Sequence, residues 1–280
     1  MTTATKEQRD RFAEEIGAAC GIKSKPILHA FATVPRESFL PPGPWVIEAI
    51  DGMYYTSQND DVSHVLHAVG VALDINRALN NANPARIGRA LEAASFLPGD
   101  TVLHVGAGTG YFSAIIAELI GPRGLLIAAE IDEQLARSAR FNLAPWPNIH
   151  VVGDALTCPL PPLDVVFASA GSPVVPRRWI DALRPGGRMV LPITGSMNIG
   201  ISYVIWKTDQ SMWLTAQPKE LVRFYPCIGT RDLPSMLAMD AAFADPRGLA
   251  VKSLRLDAHD REETCWLHGH DWCLTLATRP

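Results

Sequence analysis

Three short stretches carry residue types suited to holding a nucleoside. Gly106-x-Gly108-x-Gly110 follows an apolar run, Thr101-Val102-Leu103-His104-Val105, and precedes Ile115, Ile116, Leu119 and Ile120 at helical spacing. In such a loop the first glycine permits a sharp turn, and the second lets a ligand approach the main chain without a Cβ in the way. Ala107, Thr109 and Tyr111 complete the loop and open the helix. Glu130, with Ile131 beside it, ends the next apolar run, Leu125 to Ala129, twenty residues after Gly110. A carboxylate placed there can accept both ribose hydroxyls. Gly153-Asp154-Ala155 ends a third run, where the Asp side chain or an adjacent backbone N–H suits an adenine edge; standing alone, Asp154 reads equally as a turn carboxylate. All three fall at the carboxyl ends of successive strands, where α/β proteins bind ligands.

The glycine spacing departs from the dinucleotide pattern G-x-G-x-x-G, because the third glycine comes two residues after the second and position 111 is Tyr. This disfavours an NAD-linked oxidoreductase and matches the G-x-G-x-G loop of S-adenosylmethionine-dependent methyltransferases. Asn80, Asn81 and Asn83 put three amides in four residues, donors and acceptors suited to a peptide backbone, a carboxylate or the cofactor. Capping before Pro84 accounts for Asn83, leaving Asn80 and Asn81 as candidates for the acceptor side. His64, His67 and Asp74 are possible bases for a hydroxyl or amine acceptor, or ordinary solvated residues. No Ser/His/Asp constellation has a recognisable spacing. Cys265, His268, His270 and Cys273 lie within nine residues. Structural zinc spacing normally separates the ligand pairs, so this stretch reads as a β-hairpin with a glycine turn, without metal.

The elements that must position these residues follow from periodicity. A helix is expected over 3–20 and another over 26–33; the proline-rich stretch 34–42 should be extended, and residues 51–83 read as a long irregular segment. From residue 85 strands alternate with helices of about ten residues, the signature of right-handed βαβ units. Strands are expected at 101–105, 125–129, 149–152, 165–168 and 188–193. After residue 195 the pattern turns to strands, with pieces at 199–206, 212–216, 221–225, 251–256 and 265–276 and a helix near 234–243. One domain is expected, with an N-terminal cover over 1–84, a cofactor-binding core over 85–195 and a β-rich part over 196–280.

Composition sets the outer limits. Hydrophobic residues make up 48% of the 280 and charged ones 19%, which excludes an intrinsically disordered chain. A formal charge of −4 gives no support to a nucleic-acid partner, and no apolar run reaches membrane-spanning length. Five scattered cysteines and a charged start (Lys6, Glu7, Arg9, Asp10, Arg11) point to reduced thiols in a cytoplasmic protein. Oligomeric state leaves no mark on the sequence.

Val34-Pro35-Arg36-Glu37-x-Phe39 with Pro41-Pro42, the run Val102 to Tyr111, Glu130 and Gly153-Asp154 together resemble the protein-L-isoaspartate O-methyltransferase family. So do Leu163-Asp164-Val165-Val166, Leu183-x-Pro185-Gly186-Gly187-Arg188, Pro192 and Val222-Arg223-Phe224-x-Pro226. The resemblance spans about residues 25–230. It implies a Rossmann-like class I methyltransferase fold in the α/β class, with a mostly parallel sheet of about seven strands and helices on both faces. It also implies S-adenosyl-L-methionine as methyl donor and a carboxylate of a peptide, protein or small molecule as acceptor; a non-catalytic protein that binds the same cofactor is the alternative. Two positions depart from the family. Its substrate-contacting hydroxyl residue corresponds to Ala82, within Leu79-Asn80-Asn81-Ala82-Asn83-Pro84, and Ala cannot supply that hydrogen bond, which argues against isoaspartyl repair. Its usual carboxylate two residues before the first loop glycine corresponds to His104.

Overall fold

The computed structural model describes residues 3–49, 52–209 and 211–278. Helices α1 (Lys6–Cys20) and α2 (Lys25–Thr33) are followed by strands β1 (Val46–Glu48), β2 (Tyr54–Thr56), β3 (Gly70–Asp74) and β4 (Leu79–Asn81). Then come α3 (Pro84–Ala94), β5 (Thr101–Val105), α4 (Tyr111–Ile120), β6 (Leu125–Ala129), α5 (Glu133–Asn142), β7 (Ile149–Val152) and β8 (Leu163–Ala168). The remainder comprises α6 (Arg177–Ala182), β9 (Leu183–Thr194), β10 (Ile199–Lys207), β11 (Trp213–Arg223), α7 (Leu233–Phe243), β12 (Ser253–Arg255), β13 (Cys265–His268) and β14 (Cys273–Thr275). No helix among the described residues is long and apolar enough to cross a membrane.

Two compact units result, residues 1–99 with 107–151 and residues 100–106 with 152–280. In the first, α1 begins with a capping box in which Thr5 and Gln8 satisfy each other's backbone N–H, and ends at Gly21 in the left-handed region. Its buried face (Phe12, Ala13, Ile16) meets Phe31 of α2, ring to ring at 6.2 Å. Helix α4 is buried on nearly every side, as its all-round apolar sequence requires.

The first unit holds the largest departure from the sequence expectation. The segment read as irregular over 51–83 supplies three strands, β2, β3 and β4, to an antiparallel sheet of order β2-β1-β3-β4. Its strands are three to five residues long and include Gly70, Asp74, Asn80 and Asn81. Strands this short give too few residues to display the alternation that identifies a half-buried strand. The stretch expected to be extended over 34–42 instead makes a 3-10 turn at Arg36–Phe39. Pro35 stands just before its first residue, where a missing N–H costs nothing.

In the second unit the strand order is β13-β14-β12-β11-β10-β9-β8-β5. Among the described strand pairs of this unit, β5–β8 and β8–β9 are parallel and the later ones antiparallel. The sheet is therefore mixed rather than mostly parallel, because most of the later strands are joined by short turns that lack the residues a parallel crossover needs. The pieces expected at 212–216 and 221–225 form one strand, β11. Between Pro218 and Glu220 its register against β10 shifts by one residue, a bulge beside the proline. Strand β12 covers only residues 213–215 of β11, so Pro218 lies on an open edge where it is tolerated.

Candidate functional site

The first unit draws the glycine loop and Glu130 together. The Gly108 N–H donates to Glu130 Oε2 at 2.7 Å, and the Asp132 N–H donates to Oε1 at 2.9 Å. Ala107 N–H bonds the Ala129 carbonyl at 3.1 Å, which ties the loop to the end of β6. Glu130 is buried, and burial raises its carboxyl above the ordinary range, against the pull of the N–H groups of Asp132 and Gly108. Ile131, next in sequence, leaves an apolar side chain 45% exposed.

The loop is fixed from both sides. Thr109 Oγ1 donates to the Phe39 carbonyl at 2.7 Å, and the Asn142 amide donates to the Thr109 carbonyl at 2.9 Å. Gly106, Gly108 and Gly110 have φ of 79°, 58° and 99°, a left-handed region that disfavours side chains. At Gly110 a Cβ would meet Leu143 at 2.8 Å, whereas at Gly108 nothing lies within 4 Å. The open face of the loop is thus at Gly108, beside Glu130. A nucleoside needs such a cradle: backbone approachable without a Cβ, next to a carboxylate for its hydroxyls. The residues present fit the group. Tyr111 is spent differently, because its ring packs among Phe31, Phe39 and Phe112, leaving only its main chain for a ligand.

Two residues that sequence reasoning missed complete this unit. Arg77, in the turn between β3 and β4, pairs with Asp132, the N-cap of α5. Arg36 is fully buried and donates to the carbonyls of Val65, His67, Val69 and Ala82. It also donates to Asn81 Oδ1 at 3.2 and 3.3 Å. Burial lowers its guanidinium to about 10. A cation filling four carbonyls and an amide organises the whole β3–β4 region, yet the only signal was its place in the Val34-Pro35-Arg36-Glu37 motif.

That network changes the reading of the asparagines. The Asn81 amide oxygen is taken by Arg36, the Asn80 amide donates to Glu48 Oε2 at 3.0 Å, and Asn83 caps α3 through the Ala85 N–H. Asn81 is therefore a buried structural partner whose oxygen no acceptor can use, while Asn80 and Ala82 are partly exposed. The three candidate bases are engaged as well. His64 bonds Asn59, His67 bonds Glu15, and Asp74 accepts the N–H groups of Asn76 and Arg77 in a turn.

In the second unit, Asp154 closes a turn by accepting from the Leu156 N–H at 2.8 Å and from Thr157 Oγ1 at 3.3 Å. Gly153 is exposed with open space where a Cβ would stand, and the Ala155 carbonyl accepts from the buried Trp179 indole. His104 is fully buried in β5, its Nε2 2.9 Å from Ser169 Oγ, and burial drops its imidazole to about 3. It is neutral at physiological pH, unlike the family's usual carboxylate.

The fold is that of the Rossmann-like methyltransferases. Two solved structures overlay on 81% of the chain. One, a protein-L-isoaspartate O-methyltransferase, has a TM-score of 0.66, 25% identity and 67% of its own length covered. The other is a putative protein-L-isoaspartate O-methyltransferase from Plasmodium falciparum in complex with S-adenosyl-L-homocysteine, with a TM-score of 0.62, 14% identity and 99% of its length covered. The family model for Protein-L-isoaspartate(D-aspartate) O-methyltransferase (PCMT) matches residues 8–232. A relative from Aeropyrum pernix, named protein-L-isoaspartate O-methyltransferase, is 33% identical over 80% of each chain. Another with that name, from Koribacter versatilis, is 31% identical over 75% of this chain and 86% of its own. The chain belongs to the protein-L-isoaspartate O-methyltransferase family. The doubt about isoaspartyl repair drawn from Ala82 finds no support among these relatives.

Proposed function

We propose that this chain is an S-adenosyl-L-methionine-dependent O-methyltransferase that esterifies a carboxylate of a peptide or protein, with isoaspartyl residues the first acceptor to test. The observation that carries the reading is the buried Glu130 carboxylate, held by the Gly108 and Asp132 N–H groups beside the one loop glycine with open space above it. When bound, the cofactor supplies an electrophilic methyl on a sulfonium centre. Gly106 to Tyr111 offer it main chain, Glu130 takes the ribose hydroxyls, and Ile131 offers an apolar face. The adenine reading of Gly153-Asp154-Ala155 is a separate proposal. It rests on backbone N–H groups, since the Asp154 carboxylate serves its own turn.

A carboxylate acceptor is already ionised near neutral pH, so the reaction needs no general base. The hydrogen bonds that already engage His64, His67 and Asp74 accord with that. What the protein contributes is alignment and exclusion of water. Asn80 and Ala82 are proposed to border the acceptor, with main-chain groups replacing the hydroxyl that Ala82 lacks.

Incubation of isoaspartyl peptides with S-adenosylmethionine carrying a labelled methyl is the test. Base-labile peptide methyl ester is the expected product. Calorimetry with S-adenosylhomocysteine runs beside it: binding without turnover on peptides would favour the non-catalytic alternative, and absence of binding would remove the methyltransferase reading.

A further inference from the structure

The C-terminal strands, beyond the residues that the family model matches, bring four metal-ligating side chains together. His259, Cys265, His268 and Cys273 each offer one ligand atom, and these atoms all lie within 4.8 Å of one another. Zinc bonds of about 2.0–2.1 Å to nitrogen and 2.3 Å to sulfur set tetrahedral ligands about 3.3–3.8 Å apart. The four are thus within small side-chain movements of a closed set.

Local structure explains how they meet. In an unbroken strand Cys265 and His268, three residues apart, would face opposite ways. The register of β13 against β14 shifts between Cys265 and Leu267, pairing Cys265 with Thr275 and His268 with Cys273. That bulge turns Cys265 and His268 to the face that carries Cys273. His259 arrives from the preceding loop. Arg255 holds this loop through Asp257 and Glu262, at 2.7 and 3.0 Å.

The surroundings of the ligands fit a metal by their geometry. The His259 Nδ1–H donates to the Asp257 carbonyl at 2.8 Å, so Nε2 carries the lone pair, and it lies 3.4 Å from Cys265 Sγ. Such a bond to the distal ring nitrogen is the usual means of orienting a histidine ligand. The Glu262 N–H donates to Cys265 Sγ at 3.4 Å, which fixes the sulfur's position. His268 Nδ1 is buried with no hydrogen-bond partner, a cost that a metal bond removes. Both cysteines are buried and free. Two thiolates and a divalent cation sum to zero charge, so closing the site buries no net charge.

We propose that His259, Cys265, His268 and Cys273 bind a structural zinc ion that pins the 257–262 loop to the β13–β14 hairpin. Two sulfur and two nitrogen donors with no open position are the donor set of structural zinc. The sequence spacing singled out His270 in place of His259. His270 is exposed near the hairpin tip, and the fourth ligand comes instead from a residue six positions before Cys265.

The test is metal analysis of the full chain, purified without a metal-binding tag or chelator. One equivalent of zinc is expected, with His270→Ala retaining it and His259→Ala or Cys273→Ser losing it. Cobalt(II) loaded into zinc-free protein should show thiolate charge transfer and tetrahedral d–d bands. His259→Cys, which keeps a ligand and guards against a variant that fails to fold, should bind cobalt with altered bands. Absence of zinc together with no cobalt uptake overturns the proposal. So does a Cys265–Cys273 disulfide in the unreduced protein, or cobalt bands unchanged in His259→Ala.

Discussion

Glu130 sets burial against hydrogen bonding, and burial prevails, raising its carboxyl. Ribose hydroxyls require the ionised form as acceptor. Acidification should therefore weaken S-adenosylhomocysteine binding at a pH above the ordinary glutamate range of about 4.3. Glu130→Gln should bind about 10–100-fold more weakly at neutral pH, from loss of charged hydrogen bonds worth about 1.5–3 kcal/mol each, and should lose this acid limb. Calorimetry across pH 4–8 on both proteins checks it, and parallel profiles would refute the role. His104 runs on a different linkage. Its folded pKa of about 3 lies below the ordinary 6.5, so the fold holds it neutral and the unfolded chain takes up the proton first. Its contribution to stability is complete above about pH 6.5 and falls by up to about 1.4 kcal/mol per pH unit towards pH 3. His104→Gln should flatten the pH dependence of unfolding in that window by one proton, measured by urea denaturation.

At the scale of elements, the loop between β5 and α4 contains two glycines with opposite liabilities. Ala at 108 would take a left-handed φ at a cost of about 1–2 kcal/mol but would meet no neighbour. Gly108→Ala should fold and lose cofactor affinity, because its methyl occupies the open cradle. Gly110→Ala adds overlap with Leu143 and should cost about 2–5 kcal/mol, visible as a lowered unfolding midpoint. A Gly108→Ala variant with intact affinity would place the ligand elsewhere. The same region shows what the sequence could reveal. Strands 101–105 and 125–129 and the helices between and after them appear within a residue or two of expectation, because buried strands and helices advertise themselves through continuous apolar runs and glycine or proline stops. The position of Glu130 beside the glycine loop was legible from its place at a strand end. Arg36 was not, since its partners are backbone carbonyls 29–46 residues away, and carbonyls have no sequence signature. The β1–β4 sheet was hidden because its strands, three to five residues long, are too short to show alternation. His259 was hidden because the register shift that gathers its partners is a backbone event.

On the scale of the whole chain, the family match ends at residue 232, yet the second unit does not. Strand β12 pairs with β11 at Trp213–Thr215, β14 with β12 and β13 with β14. Arg255 stacks over Trp213 at 4.6 Å, and the Tyr203 hydroxyl donates to the Gly248 carbonyl at 2.9 Å. Met239, Leu254, Trp266, Leu267 and Leu274 are buried. Removing residues 233–280 would strip this packing and leave β11 an unpaired edge along its full length, with apolar surface newly exposed. Exposed edges and apolar patches drive association. A chain ending at residue 232 should therefore be recovered aggregated or as large oligomers by light scattering. A soluble monomer that binds S-adenosylhomocysteine as the full chain does would show instead that the C-terminal strands are an independent attachment. The expected outcome follows from the sheet's continuity: β12, β14 and β13 extend the sheet from β11, so their removal takes hydrogen bonds and core from the part that the family model matches.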